Sequence, residues 1–215
     1  MTMRPFHLAL VFTVAALTSS ATIVRAGETP AGTTRVEEDW ELVISDPDLI
    51  GAGPQITTCM APEGNGTSRF VAFNLNYRAD PKFIAGGVHI LVWKDNAVID
   101  LAANETGRCN TTNELITWTQ RMSLSVGSVS YAIRNGQSTT WNKFGEGHGL
   151  PAVDFGTSVE TLASYNPDDS ASRSGVGWEQ NRVTKMTLLR VRYYAGITLL
   201  STDERPRPVV DNTSN

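Results

Sequence analysis

The chain has 215 residues, of which 40% are hydrophobic and 19% are charged. These proportions fit one folded globular domain and exclude a wholly disordered chain, which would be poor in apolar residues and highly charged. The formal net charge is −4 at pH 7, so the chain lacks the basic surplus of a general nucleic-acid-binding protein.

The first 26 residues have the three-part order of a secretory signal peptide. Arg4 gives a charged start, an apolar run covers residues 8–17, and small residues end at Ala26, after which we expect cleavage. The run is too short for a membrane anchor, which needs about 20 apolar residues. We therefore predict a secreted product, extracellular or periplasmic, without a membrane span.

Two cysteines, Cys59 and Cys109, lie in the part of the chain that remains after this cleavage. An oxidising compartment allows two such cysteines to pair, so we predict a disulfide between them. The alternative is a pair of buried free thiols.

Short segments of alternating polarity, separated by turn residues, occupy most of the remaining chain. Residues 27–35 are rich in Gly, Thr and Pro and predict a flexible lead-in, and residues 202–215 predict a flexible C-terminal tail. The candidate strands, in chain order, are 40–45, 70–78, 88–94, 97–102, 115–126, 129–134, 138–144 and 183–194. No sustained helical pattern occurs between them, so residues 36–201 predict an all-β, antiparallel β-sandwich of the jelly-roll type.

The pair Asn135-Gly136 is the clearest turn signal. Asn-Gly favours a two-residue type I′ turn, in which both central residues need a positive φ. We therefore predict a hairpin that joins the strand before Asn135 to a return strand over 138–144.

Three stretches carry a resemblance to a known superfamily. They are residues 131–136 with the following Thr139-Thr140-Trp141, residues 174–178 leading into 181–183, and the late strand 188–194. This pattern resembles the concanavalin A-like (laminin-G-like) jelly-roll superfamily. The resemblance implies a sugar-binding domain, sometimes with calcium, and some members are polysaccharide hydrolases or lyases.

Catalysis by a hydrolase or a lyase makes separate demands on the sequence. The Glu-x-Asp-x-x-Glu strand of the related hydrolases does not occur, and the acids at 37–39 and 41 are interpreted as a solvated charge run. Lyases of this type use His or Tyr to move a proton and Arg or Gln to neutralise a uronate. The candidate catalytic residues are therefore His89, Tyr131 and His148, the last in the glycine-rich segment 145–149.

Sugar binding needs an aromatic face for the pyranose ring and polar side chains for its hydroxyls. The candidate ligand-binding residues are Asn74, Asn76, His89, Trp118, Gln120 and Trp141. Calcium needs clustered oxygen ligands, for which Asp168 and Asp169 are the candidates.

Three functions stay open at this point. The first is non-catalytic binding of a polysaccharide or glycan, because no catalytic pattern is complete. The second is a jelly-roll polysaccharide lyase or glycoside hydrolase, which predicts that His89, Tyr131 and arginines converge in one groove. The third is an extracellular structural or protein-interaction module, which predicts that Asn74, Asn76 and His89 are scattered or covered.

Overall fold

The computed structural model describes residues 28–48, 53–63, 69–76 and 86–213. The predicted signal peptide, residues 1–26, lies outside the described residues. The described strands are β1 (Arg35–Ile44), β2 (Gln55–Met60), β3 (Arg69–Leu75), β4 (Val88–Lys94), β5 (Ala97–Asn104), β6 (Glu114–Ser125), β7 (Ser128–Ser138), β8 (Asn142–Phe144), β9 (Val153–Gly156), β10 (Gly175–Trp178), β11 (Val183–Ala195), β12 (Thr198–Asp203) and β13 (Arg207–Asp211). The described residues also form one helix, α1 (Pro167–Arg173), and one 3-10 turn (Gln180–Arg182), which precedes β11.

The strands form two antiparallel sheets that pack face to face. Sheet A has the order β12-β11-β1-β6-β7-β8, with β13 also paired to β11 and β9 also paired to β7. Sheet B has the order β10-β2-β3-β4-β5. This arrangement confirms the prediction of an all-β, antiparallel β-sandwich.

The core lies between the two sheets and follows from alternation along the strands. Every second residue of β1 is buried, from Val36 to Ile44, because successive side chains of a strand point to opposite faces. Trp40 of β1 stacks against its cross-strand partner Trp118 of β6, with ring centroids 6.1 Å apart. Phe73 of sheet B packs against Trp118 from across the core.

Helix α1 covers the edge of β2 where the pairing with β10 ends. Asn166 caps the helix by accepting a hydrogen bond from the Asp168 N–H at 3.0 Å. Ser170 Oγ donates to the Cys59 carbonyl at 2.5 Å, and the Cys59 N–H donates to Ser174 Oγ at 3.1 Å. Serine hydroxyls thus take the place of a neighbouring strand and satisfy this buried backbone.

The prediction of a turn at Asn135-Gly136 is wrong, because both residues lie inside β7. Thr119 pairs with Arg134 but Thr117 pairs with Gln137, so β7 carries one extra residue there. Asn135 has a φ of +53°, which suits a β-bulge as well as a turn. A Cβ on Gly136 would lie 2.5 Å from the Phe144 carbonyl oxygen, which explains why glycine is required beside β8.

The segment that we predicted as a C-terminal tail forms part of sheet A. Strand β12 ends at Asp203, and β13 then pairs with β11. Arg207 is buried and donates to Asp203 at 2.6 Å and to Asp168 of α1 at 2.5 Å. Proline can stand in such a strand because an edge strand has one unpaired side. In the predicted lead-in, Thr29 Oγ1 already donates to the Tyr165 carbonyl at 2.6 Å.

The predicted disulfide is absent, and both cysteines are buried free thiols. Cys59 belongs to a small cluster with Ala72 and Leu91 on the outer face of sheet B, whereas Cys109 belongs to the core between the sheets. The two thiols therefore lie on different sides of sheet B. Burial raises the pKa of the Cys59 thiol to about 12, and burial also raises the pKa of Cys109.

Candidate functional site

The predicted catalytic residues lie in three different parts of the fold. Tyr131 of β7 is fully buried in the core, where burial holds its pKa well above the usual value. His89 of β4 pairs with Asn74 on the outer face of sheet B. His148 is exposed in the loop between β8 and β9. The structure therefore does not bring these residues together in one groove.

Tyr131 and Gln120 belong to a polar network inside the core. The Tyr131 hydroxyl and Thr58 Oγ1 both donate to Gln120 Oε1, the latter at 3.0 Å. Gln120 Nε2 donates to Glu38 Oε2 at 2.9 Å. Gln120, which we predicted to bind ligand, is thus occupied by internal hydrogen bonds, and Trp118 is buried beside it in the core.

Glu38 is buried, although we interpreted it as part of a solvated charge run. Trp40 Nε1 donates to its Oε2 at 2.9 Å, and the Tyr165 hydroxyl donates to its Oε1. Burial raises the pKa of Glu38, and these hydrogen bonds oppose the rise without cancelling it.

The neighbouring acids of β1 face outward and form ion pairs. Glu41 lies 2.7 Å from Lys185, Asp39 lies 2.5 Å from Arg190, and Arg192 approaches Glu37 at 3.2 Å. These three acids of β1 are therefore each paired with a basic side chain of β11 on the outer face of sheet A.

Of the predicted ligand-binding residues, Asn74 and His89 do lie side by side on the outer face of sheet B. They are only 4% and 6% exposed, however. Asn74 Oδ1 accepts from Thr57 Oγ1 at 2.5 Å, whereas Asn74 Nδ2 has no hydrogen-bond partner in the part of the chain that the structure describes. Burial lowers the pKa of His89, and the charge of Glu105 opposes this effect.

Asn76 and Trp141 support the ends of strands. Asn76 follows β3 with a φ of +54°, and its Nδ2 donates to the Pro54 carbonyl at 2.8 Å. Trp141 lies between β7 and β8, and its Nε1 donates to the Thr106 carbonyl at 2.9 Å. Neither residue lies on the outer face of sheet B with Asn74 and His89.

The candidate calcium ligands lie at the first turn of α1. The Asp168 carboxylate accepts hydrogen bonds from Arg207 at 2.5 Å and from Arg205 at 2.8 Å. Partial burial raises the pKa of Asp168, but these guanidinium groups outweigh it and hold the pKa below its usual value. Two arginines thus neutralise the carboxylate, and the described residues contain no cluster of three or more His, Cys, Asp or Glu arranged for a metal ion.

An apolar strip crosses the outer face of sheet B next to His89. Phe70 of β3 and its cross-strand partner Trp93 of β4 stack with ring centroids 6.0 Å apart and planes 7° from parallel. Leu91, which is itself only 7% exposed, packs beside them and pairs with Leu101 of β5, while Val98 of β5 pairs with Trp93. We call Phe70, Leu91, Trp93, Val98 and Leu101 the apolar surface of sheet B.

Strand β5 contributes the most exposed part of this surface. Val98, Ile99 and Leu101 are 45%, 50% and 53% exposed, although β5 pairs with β4 along its length. Large exposed apolar patches mark interaction sites more often than isolated apolar residues do. A second group of exposed aliphatic residues lies at two hairpin tips of sheet A, with Val126 between β6 and β7 and Ile197 between β11 and β12.

Comparisons of the chain with protein-family models, with curated proteins and with solved structures give no match. The resemblance to the concanavalin A-like superfamily therefore stays a prediction. Among the described helices, none has the length and apolar character needed to cross a bilayer.

Proposed function

We propose that the protein is an exported, non-catalytic binding module that recognises a protein partner through the apolar surface of sheet B. The observation that carries this proposal is the exposure of Val98, Ile99 and Leu101 beside the stacked pair of Phe70 and Trp93. The enzyme alternatives receive no comparable support, because the predicted catalytic residues lie in three separate places.

The chemistry of the surface favours a polypeptide over a small polar ligand. Aromatic residues are enriched in the centres of protein interfaces, and charged residues are depleted there. The apolar surface of sheet B contains two aromatic rings and three aliphatic side chains. Asn74 and His89, the nearest polar candidates, are almost fully covered.

The test is binding to an array of extended decapeptides with alternating apolar and polar residues, including the chain's own residues 95–104. We expect the protein to bind a subset of these peptides, and the Trp93→Ala variant to bind at least about tenfold more weakly, as for an interface residue that carries much of the binding energy. Leu115→Lys is the matched control, because Leu115 is exposed on sheet A.

Equal binding by Trp93→Ala and the wild type, or no binding to any peptide, would reject the proposal. Circular dichroism of each variant shows whether the fold survives the substitution. A loss of binding in Leu115→Lys equal to that in Trp93→Ala would also count against it, because the effect would then not belong to this surface.

Carbohydrate binding is the second candidate, and the flat pair of Phe70 and Trp93 is the observation that favours it. A pyranose ring can pack against an aromatic face of this pair, and Asn74, whose Nδ2 has no hydrogen-bond partner among the described residues, stands four residues after Phe70 on the same face of β3. Affinity gels that contain neutral or uronate polysaccharides, with and without calcium, test this candidate.

We expect retardation of the wild type in one class of polymer and its loss in Trp93→Ala, while Trp178→Ala, on the far strand β10, migrates like the wild type. If no polymer retards the wild type, this second candidate fails and the protein-binding proposal is unaffected.

A further inference from the structure

Strand β5 is an edge strand of sheet B and has β4 as its only strand partner among the described residues. An edge strand presents unpaired N–H and C=O groups that can pair with another strand. Residues 97–104 contain neither Lys nor Pro, two residues that commonly block such pairing, and Asp100 is the one charged residue among them. The Leu101 N–H donates instead to the adjacent Asp100 Oδ1 at 2.8 Å. A second strand would replace this local hydrogen bond.

A β-bulge in β5 places Val98 and Leu101 on the same face of the strand. Val92 pairs with Asp100, but the next residue, Trp93, pairs with Val98, so Ile99 is the extra residue. Without the bulge, Val98 and Leu101 would point to opposite faces, because their positions differ by an odd number. With it, both pair with outward-facing residues of β4, Trp93 and Leu91, and share one face.

We propose that β5 pairs antiparallel with β5 of a second copy of this chain, about a two-fold axis between Ile99 and Asp100. This inference rests on the proposed function and names the partner. The axis places Val98 of the first copy beside Leu101 of the second, and Leu101 of the first copy beside Val98 of the second. The two five-stranded sheets then join into one continuous sheet across the dimer.

Self-complementarity is the reason for choosing a second copy over an unrelated partner. A two-fold contact requires that each residue finds a suitable residue of the same surface. On the outer face, Val98 of each copy meets Leu101 of the other, and cross-strand apolar pairs of this kind stabilise a sheet. Asp100 stands opposite Ile99 of the second copy, so the two Asp100 carboxylates do not face each other directly.

The interface also continues the apolar surface of sheet B. Trp93 and Leu91 lie one strand inward from Val98 and Leu101 in each copy. The joined sheet therefore carries one apolar strip from Phe70 of the first copy to Phe70 of the second.

The experiment is sedimentation velocity of the secreted chain at concentrations from about 1 to about 100 µM, which brackets a micromolar dissociation constant. We expect a dimer at the upper end. Because each substitution occurs twice in a two-fold interface, Val98→Glu and Leu101→Lys should each raise the dissociation constant at least about tenfold.

The register is tested by combining the two substitutions. In Val98→Glu/Leu101→Lys, the proposed pairing sets each glutamate opposite a lysine of the other copy, so we expect the dimer to return. Leu115→Lys, in which an equally exposed leucine of sheet A is changed, should dimerise like the wild type.

A wild type that stays monomeric over the whole range overturns the inference, as does a double variant that remains as weak as the single ones. A dimer that both single variants leave intact also overturns it. The peptide array keeps the two proposals apart: a monomer that still binds peptides through Trp93 leaves the proposed function standing, and a monomer that binds none removes both.

Discussion

Glu38 is a carboxyl group inside the sandwich that accepts hydrogen bonds from Trp40, Gln120 and Tyr165. A buried carboxylate is costly because it loses its hydration, so the neutral form is favoured relative to a carboxyl group in water. The four side chains come from β1, β6 and the segment before α1, and the protonation of Glu38 therefore acts on packing between several elements.

The stability of the protein should fall as the pH rises above the ordinary Glu value of 4.5, because burial raises the pKa of Glu38 in the folded state. Between the ordinary pKa of Glu38 in the unfolded chain and its raised pKa in the folded protein, the folded protein keeps a proton that the unfolded chain releases. The free energy of unfolding therefore decreases with pH over this range and then levels off. Glu38→Gln removes this dependence and keeps the shape, with its amide donating to the Tyr165 oxygen. Urea denaturation at a series of pH values measures the difference between the two proteins.

Glu37→Gln is the control for this prediction, because Glu37 is the adjacent acid on the outer face of sheet A. A constant difference in unfolding free energy between the wild type and Glu38→Gln across the pH series would contradict the role of Glu38.

The position of Glu38 was not predictable from its neighbours. Glu37, Glu38 and Asp39 look alike as a run of acids, and only the alternation of β1 separates the buried one from the paired ones. Two of its three hydrogen-bond donors, Gln120 and Tyr165, are distant in sequence, and Tyr165 is separated from Glu38 by 127 positions. Alternation along β3 and β4 indicates that Asn74 and His89 share one face of neighbouring strands, but it gives no sign that both side chains are covered there.

At the scale of elements, α1 is a short helix whose hydroxyl groups complete the hydrogen bonds of β2. The Cys59 N–H has Ser174 Oγ as its acceptor, and Ser174 Oγ itself donates to the Ser170 carbonyl at 2.8 Å. Both serines are buried, so no solvent replaces these partners when they are removed.

Ser174→Ala should therefore lower the free energy of unfolding by about 1–3 kcal/mol, the usual cost of a buried polar group left without a partner. Ser172→Ala, on the exposed side of the same helix, should change it by less than about 0.5 kcal/mol, as is usual for a surface position. Urea denaturation of both variants makes the comparison, and equal losses would show that the Cys59 backbone does not depend on Ser174.

Strands were predictable where alternation is uninterrupted. The predicted segment 88–94 coincides with β4, and 115–126 differs from β6 by one residue at each end. The errors occur where one local sequence pattern is compatible with two different structures. Asn135-Gly136 suits a bulge as well as a turn. Pro206, just before β13, and Pro208, within it, are as compatible with a short edge strand as with a loose tail.

At the scale of the whole molecule, the two outer faces of the sandwich differ in character. Sheet A carries ion pairs such as Glu41 with Lys185 and Arg134 with Glu146, whereas sheet B carries an apolar strip that ends in the edge strand β5. This strip was not predicted as a site, because an apolar strand has the same sequence pattern whether or not another element of the fold covers it. Strand order, which follows from long-range pairing, decides that β5 stands at an edge.

The central place of β1 in sheet A has a consequence for biosynthesis. This first strand lies between β6 and β11, and its first residue, Arg35, pairs with Tyr194 near the end of the chain. Contacts so distant in sequence form slowly and require that both partners are present. A ribosome must therefore have synthesised nearly the whole polypeptide before β1 can pair with β11 and complete the centre of sheet A.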